Sequence, residues 1–313
     1  MSNHTGHGHH HGHQSSEHGH HGTAHAHAHH HDPAAPDWDV MAPLLEQNAE
    51  LSSEQYTEAA RWIAGLPDAP KVRRVLDIGS GPGVISCLLA EAFPEAEVVA
   101  VDSTPALLER TRDRAERLGL GGRVTTLHAD IPDALAELGQ ADLIWAGNAL
   151  HHMGDQRAVL AGFAALLRPG GTVALVEGGL QPRQLPRDLG FGRPGLEARM
   201  EAVQAELFEE MRADLPDARR ENEDWAALFA AVGLTPQGTR SFLLDLPAPL
   251  GDVARDHVIA EFTRRRDGLA DRLEADDHAV LDRLLDPEDP AGLRQRPDTF
   301  LLLARTVHLG RRA

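Results

Sequence analysis

Residues 75–83 read Val75-Leu76-Asp77-Ile78-Gly79-Ser80-Gly81-Pro82-Gly83, a short apolar run entering a loop with glycine at every second position. "VISCLLAEAF" (84–93) follows with helical spacing, so the stretch is predicted as a strand, a glycine loop and the start of a helix. Such a unit cradles nucleotide-like ligands, because bare backbone comes close to the ligand and the first amides of the helix face it. The spacing discriminates among cofactors. A dinucleotide fold calls for G-x-G-x-x-G, whereas here Gly79, Gly81 and Gly83 give G-x-G-x-G with Val84 after them and Asp77 two positions before the first glycine. An acid there repels a pyrophosphate and suits a cofactor with a cationic amino-acid end. No Gly-Lys-Ser/Thr follows, which excludes a P-loop.

Outward from this loop the chain alternates short apolar runs with amphipathic ones. "AEVVAVD" (96–102), "RVTTLHAD" (123–130), "ADLIWAGN" (141–148) and "GGTVALVEGG" (170–179) are strand-like; "PALLERTRDRAERLG" (105–119), "IPDALAEL" (131–138) and "DQRAVLAGFAALL" (155–167) are helical. The repeating β-α rhythm with continuously apolar strands predicts an α/β fold, a Rossmann-like sheet with helices on both faces. Two helical segments precede it, "WDVMAPLLEQNAEL" (38–51) and "SSEQYTEAARWIAGL" (52–66); Ser52 and Gln55 have capping-box spacing, Tyr56, Ala60 and Ile63 share a face, and Pro67 and Pro70 end the pattern. The expected organisation is a His-rich disordered tail over 1–35, N-terminal helices over 36–70, a cofactor-binding core over 71–180, and helical insertions at about 181–221 and 250–297. Further strands are expected at "TRSFLLDLP" (239–247) and "TFLLLARTVHLG" (299–310), with a helix in "NEDWAALFAAVGL" (222–234).

In a parallel α/β sheet ligands lie at the carboxyl ends of the strands. Those ends carry Asp77 and the glycine loop, Asp102, Asp130, Asn148 and Glu177. Taken in order with "LLRPGGTVALVE" (166–177), the set resembles the class I S-adenosylmethionine-dependent methyltransferases, with seven strands in the sheet. "NALHHM" (148–153) makes it similar to the small-molecule branch related to ubiquinone and menaquinone biosynthesis. The resemblance covers about residues 72–177. It implies S-adenosyl-L-methionine as cofactor: Gly79, Ser80, Gly81 and Gly83 form the loop beside the methionine portion, Asp77 orients its ammonium, Asp102 and Ser103 meet the ribose, Asp130 accepts from the adenine amine with Ile131 against the ring, and Asn148 faces the transferring methyl.

Methyl transfer from a sulfonium disperses charge, so positioning and water exclusion supply much of the catalysis. For a hydroxyl acceptor a base assists. His152 is the preferred candidate and His151 the second, each with an imidazole that titrates near neutrality; Glu177 is a candidate for orienting substrate, and His257 lies on the second insertion. The fourth strand lacks Asn-Pro-Pro-Tyr/Phe, and the sole cysteine, Cys87, falls on a helix face. Both absences favour a small organic acceptor, its O or N atom left open, under a lid made by the insertions. Arg183, Arg187 and Arg193 in the first insertion are candidate contacts for an anionic acceptor, set against an ordinary solvated loop.

The 313 residues carry a formal net charge of −18, which argues against a nucleic-acid partner. One cysteine excludes an internal disulfide, no run is long and apolar enough for a membrane span, and no secretory signal is expected, so the expected compartment is cytoplasmic. Lys71 is the single lysine beside many arginines, a bias that points to GC-rich coding and a bacterial source. The tail tracts "GHGHHHGH" (6–13) and "AHAHAHHHD" (24–32) place His9, His10, His11, His29, His30 and His31 where they bind Ni, Zn or Cu adventitiously. A metal-binding protein on a methyltransferase-like scaffold is the alternative reading, and an NAD enzyme, disfavoured by the loop spacing, is a third. Oligomeric state is not legible.

Overall fold

The computed structural model describes residues 38–66 and 71–313. The expected tail, its histidines and the helix stop at Pro67 and Pro70 lie outside the described residues. The elements run α1 (Trp38–Leu51), α2 (Ser53–Ala64), β1 (Arg74–Ile78), α3 (Val84–Ala92), β2 (Glu97–Asp102), α4 (Pro105–Arg117), β3 (Val124–His128), β4 (Ala141–Gly147), α5 (Gln156–Leu166), β5 (Leu167–Arg183), α6 (Leu196–Asp214), α7 (Trp225–Ala231), β6 (Leu234–Leu246), α8 (Asp252–Gly268), α9 (Ala275–Leu285) and β7 (Leu301–Arg312).

The strands form one seven-stranded sheet in the order β3-β2-β1-β4-β5-β7-β6. β1 to β5 are parallel and β7 is antiparallel to both neighbours. Strand order reverses between β1 and β4, and the crevice at such a reversal is where α/β sheets bind ligands. This is the seven-stranded Rossmann-like sheet expected from the sequence.

Both faces are covered. On one, Tyr56, Ala59 and Ile63 of α2 and Cys87, Leu89 and Ala90 of α3 pack on Val75, Val98, Trp145 and Val307. On the other, Val159, Leu160 and Phe163 of α5 and Leu228 and Phe229 of α7 pack on Leu76, Ile144 and Leu175. Trp145 is 1% exposed and meets Tyr56 edge-on at 6.2 Å between ring centroids. Full burial of a side chain of this kind contributes about 1.5–3 kcal/mol. Sequence chemistry fixes the helix starts: Asp155 and Asp224 cap α5 and α7 by accepting the amides of Ala158 and Ala227, and Pro105 occupies the first turn of α4.

The insertions have their own apolar cluster, built by Leu185, Met200, Val258, Phe262, Leu281 and Leu284 with Leu244 of β6 and Leu303 of β7. β7 runs against β5, so its first residues stand at the carboxyl ends of the parallel strands. The helical cap is therefore rooted on the edge where ligands bind.

Two local expectations are corrected. Residues 131–138 form turns and a single 3-10 turn over Leu135–Glu137; Ile131, Ala134, Leu135 and Leu138 keep helical spacing and pack on the sheet, but the segment is only about two turns long, too short to hold an α-helix by itself. The capping box at Ser52 does not form: Ser52 makes no side-chain cap, and Gln55 instead reaches across to the sheet, where its Nε2 donates to Phe242 O at 2.7 Å.

Candidate functional site

The opening loop folds against the end of β2. The amides of Gly79 and Ser80 donate to Val101 O at 2.9 and 3.1 Å, and the Gly81 amide donates to Asp102 Oδ2 at 2.9 Å. Gly79, Gly81 and Gly83 have φ of +68°, +56° and +75°, a left-handed conformation that glycine adopts without strain. Their side-chain positions differ. A Cβ at Gly79 would stand 2.8 Å from Ala149 Cβ, and one at Gly83 would stand 2.5 Å from Thr111 Cγ2, whereas one at Gly81 would meet nothing within 4 Å. Gly83 is glycine for close packing on α4; Gly81 turns bare backbone toward open space.

Asp102 holds two amides, that of Gly81 through Oδ2 and that of Thr104 through Oδ1 at 2.9 Å. A carboxylate has about four acceptor sites, so two remain for a ligand. Asp77 is 2% exposed, accepts from Ser86 Oγ at 2.6 Å, and has its pKa pushed up to about 7. Burial is the main cause; the Ser86 bond opposes it and Asp102 adds to it. Burial penalises its charged form, and an incoming cation would stabilise that form and draw the pKa back down. Ser80 is buried, and its Oγ has no hydrogen-bond partner.

The remaining strand ends lie along the same edge. Ser103 and Asp130 are exposed, with Ile131 partly buried beside Asp130. Asn148 is exposed and left-handed at φ +51°, an uncommon conformation for a residue with a side chain, and its amide donates to Val176 O at 3.0 Å. After it the chain makes a 3-10 turn over Leu150–His152. Glu177 anchors that turn: its Oε1 accepts the amides of Leu150 at 3.0 Å and His151 at 3.4 Å, and its Oε2 lies 2.9 Å from His151 Nδ1. His151 is thus committed to Glu177. His152 is exposed and makes no hydrogen bond through its side chain among the described residues. Its pKa is lowered, chiefly by the protein packed around it and next by His151; Glu177 opposes and Arg212 adds to the lowering.

Sequence reasoning missed four residues along this edge. Arg212 of α6 donates through Nη1 to His151 O at 2.8 Å and Met153 O at 2.6 Å, and Phe208 lies 5.5 Å from the His151 ring. His308 of β7 places Nε2 3.3 Å from Glu177 O. Arg305 of β7 stands beside Gly179, at the end of β5. Its signal was a charge inside the apolar run "FLLLARTVHL". Of the arginines expected to meet an anionic acceptor, Arg183 pairs with Glu201 and Arg193 with Asp277 at 3.1 Å, so neither charge is free; Arg187 is exposed. His257 is buried among the residues of α8. Among the described residues no group of three or more His, Cys, Asp and Glu could hold a metal ion, and no helix is long and apolar enough to cross a membrane.

Residues 75–171 match the methyltransferase domain family. The chain is 34% identical over 142 residues to a trans-aconitate 2-methyltransferase of Methylobacterium radiotolerans, covering 44% of this chain and 48% of the relative. It is 32% identical over 138 residues to a 27-O-demethylrifamycin SV methyltransferase of Amycolatopsis mediterranei, again covering 44% and 48%. The chain thus spans about half the length of the curated relatives it matches. A solved structure of similar fold is a methyltransferase from Thiobacillus denitrificans in complex with S-adenosyl-L-homocysteine, with TM-score 0.45, 21% identity, and coverage of 81% of this chain and 90% of that one.

Proposed function

We propose that this chain, whose fold and family are those of a class I S-adenosylmethionine-dependent methyltransferase, transfers a methyl group from S-adenosyl-L-methionine to a small organic acceptor. The cofactor supplies an electrophilic methyl on a sulfonium: an acceptor oxygen or nitrogen lone pair forms the new bond as the C–S bond breaks, and S-adenosylhomocysteine leaves.

The observation that carries this reading is the carboxyl edge of β1 and β2. There Gly81 bares backbone to open space while Asp77 and Asp102 flank it with carboxylates. Asp77 receives the cationic amino-acid end and ionises fully on doing so. Asp102 accepts from the ribose hydroxyls through its two remaining acceptor sites, with Ser103 beside it. Asp130 accepts from the adenine amine, and Ile131 packs on the ring. The unpartnered Ser80 Oγ, a polar group buried without compensation, finds its partner in the bound ligand. Asn148 stands at the methyl.

His152 is the general base. Its lowered pKa keeps it neutral and able to accept a proton at physiological pH. His151, held by Glu177, positions the turn that presents it. The test is calorimetry with S-adenosylhomocysteine and NAD in parallel: S-adenosylhomocysteine binds and NAD does not, and the reverse result sinks the reading.

A further inference from the structure

Buried polar atoms are almost always paired, so those left without a partner mark places where a ligand or water completes the bonding. Among the described residues of this chain most of them lie at the carboxyl edge of the sheet; the exception is Arg114 Nε on α4, whose guanidinium is ion-paired with Glu46 and Glu50. Gln55 Oε1, Ser80 Oγ, both amide atoms of Gln184, Thr299 Oγ1 and Arg305 Nε are buried without partners. Ser80 belongs to the cofactor loop. The others lie at the far end of the edge: Gln184 follows β5, Thr299 precedes β7, the Phe300 amide between them donates to Gln184 O at 3.1 Å, and Arg305 pairs with Gly179 across the ladder.

Arg305 stands apart. Most arginines of this acidic chain pair with carboxylates or backbone carbonyls, and those without a partner are exposed. Arg305 is partly buried, and its guanidinium makes neither ion pair nor hydrogen bond among the described residues. Its cross-strand partner on β6 is Phe242, whose carbonyl accepts from Gln55 Nε2. The unpartnered Gln55 Oε1 and Arg305 Nε are therefore fixed to the same cross-strand pair, on the face that also bears Asp77 and Ser86. An unpaired cation taken partly out of water is costly unless something negative joins it. Its planar fork suits an oxyanion, which it holds with two parallel hydrogen bonds.

We infer that the methyl acceptor is an acid, whose carboxylate or phosphate is held by Arg305. This rests on the methyltransferase reading, because it takes this end of the edge as the acceptor's place. The arginines of the first insertion do not share the role, since Arg183 and Arg193 are spent on Glu201 and Asp277.

The test uses the full chain and matched probes: benzoate against benzamide, succinate against succinamide, and phenyl phosphate against phenol. Binding is read by calorimetry with and without saturating S-adenosylhomocysteine, on the native protein, Arg305→Met and Arg305→Lys. Charge-assisted bonds of this kind are worth about tenfold to a hundredfold in affinity. The native protein is expected to prefer at least one acid by that margin over its neutral match. Arg305→Met loses the preference, Arg305→Lys keeps part of it, and the affinity of both for S-adenosylhomocysteine stays that of the native protein. Whether carboxylate or phosphate is preferred identifies the oxyanion. Equal binding of acids and neutral matches, no binding of any acid, or an undiminished preference in Arg305→Met overturns the inference. Failure of S-adenosylhomocysteine to bind the native protein would instead overturn the methyltransferase reading, and the cofactor-free arm keeps the two outcomes apart.

Discussion

Glu177 Oε2 lies 2.9 Å from His151 Nδ1 while its Oε1 accepts the Leu150 amide at 3.0 Å, so one buried carboxylate fixes both the backbone and the side chain of the turn after β4. Replacing Glu177 with alanine leaves those N–H groups without partners, at a cost of about 1–3 kcal/mol. Glu177→Ala should unfold at lower urea with an unchanged denaturant slope and should lose activity. Glu177→Gln should recover part of the stability, because its amide oxygen still accepts from the turn. Equal midpoints for the native protein and Glu177→Ala would show that the turn holds without it.

The glycines of the loop should separate fold from binding. Gly83→Ala drives a methyl into Thr111 and imposes a left-handed φ on alanine, so it should destabilise the protein by about 1–3 kcal/mol. Gly81→Ala carries only the backbone strain, about 1 kcal/mol, since its methyl meets open space. That methyl falls on the side of the loop proposed for the cofactor, so Gly81→Ala should bind S-adenosylhomocysteine at least about tenfold more weakly while staying folded, a loss of about 1.4 kcal/mol. Paired melting curves and titrations read both effects.

Asp102→Ala should weaken S-adenosylhomocysteine by about 1–3 kcal/mol through the lost ribose contact. The same change frees the amides of Gly81 and Thr104. Melting and titration of Asp102→Asn separate the roles, because an asparagine oxygen keeps one of the amides but cannot accept from both hydroxyls.

Cofactor affinity should depend on pH through Asp77. Its carboxyl, raised to about 7 chiefly by burial, is largely protonated at pH 6 and ionised at pH 8. A cationic ligand end binds the ionised form, so affinity for S-adenosylhomocysteine should rise as pH increases from 6 to 8. In Asp77→Asn the affinity should be weak and flat over that range. Titrations at three pH values decide it, and a native profile as flat as the variant's counts against the contact.

The geometry of the candidate edge was legible because its residues are local in sequence. A strand, its terminal acid and a glycine loop occupy consecutive positions, as with Asp77 to Gly83, and the same holds for Asp102 at the end of β2. Alternating apolar and amphipathic runs located the strands for the same reason. What could not be read is what depends on pairing across the chain. Gln55 has capping-box spacing in sequence, yet its amide is used by β6 and β7, which enter the sheet nearly two hundred residues or more later. Arg305 acquires its place only when β7 turns antiparallel and sets it beside Gly179. Arg183 and Arg193 had the right charge and the right insertion, but helices α6 and α9 bring Glu201 and Asp277 to them.

Acid should destabilise the fold through imidazoles that folding takes wholly or partly out of water. The pKa of His257 is lowered chiefly by burial, with Glu261 opposing and Arg264 adding, and that of His308 is lowered chiefly by burial, with Glu177 opposing. A histidine in an unfolded chain titrates at about pH 6.5. Between that pH and the lower folded values the unfolded chain binds more protons than the native one, so stability rises with pH in this window and is lost as pH falls through it. Urea midpoints of the native protein should therefore drop between pH 7 and pH 5. His257→Phe should show a shallower drop over the same interval, whatever its absolute stability, because the carboxylates titrate alike in both proteins. Parallel curves would mean that His257 is protonated as easily in the folded state as in the unfolded one.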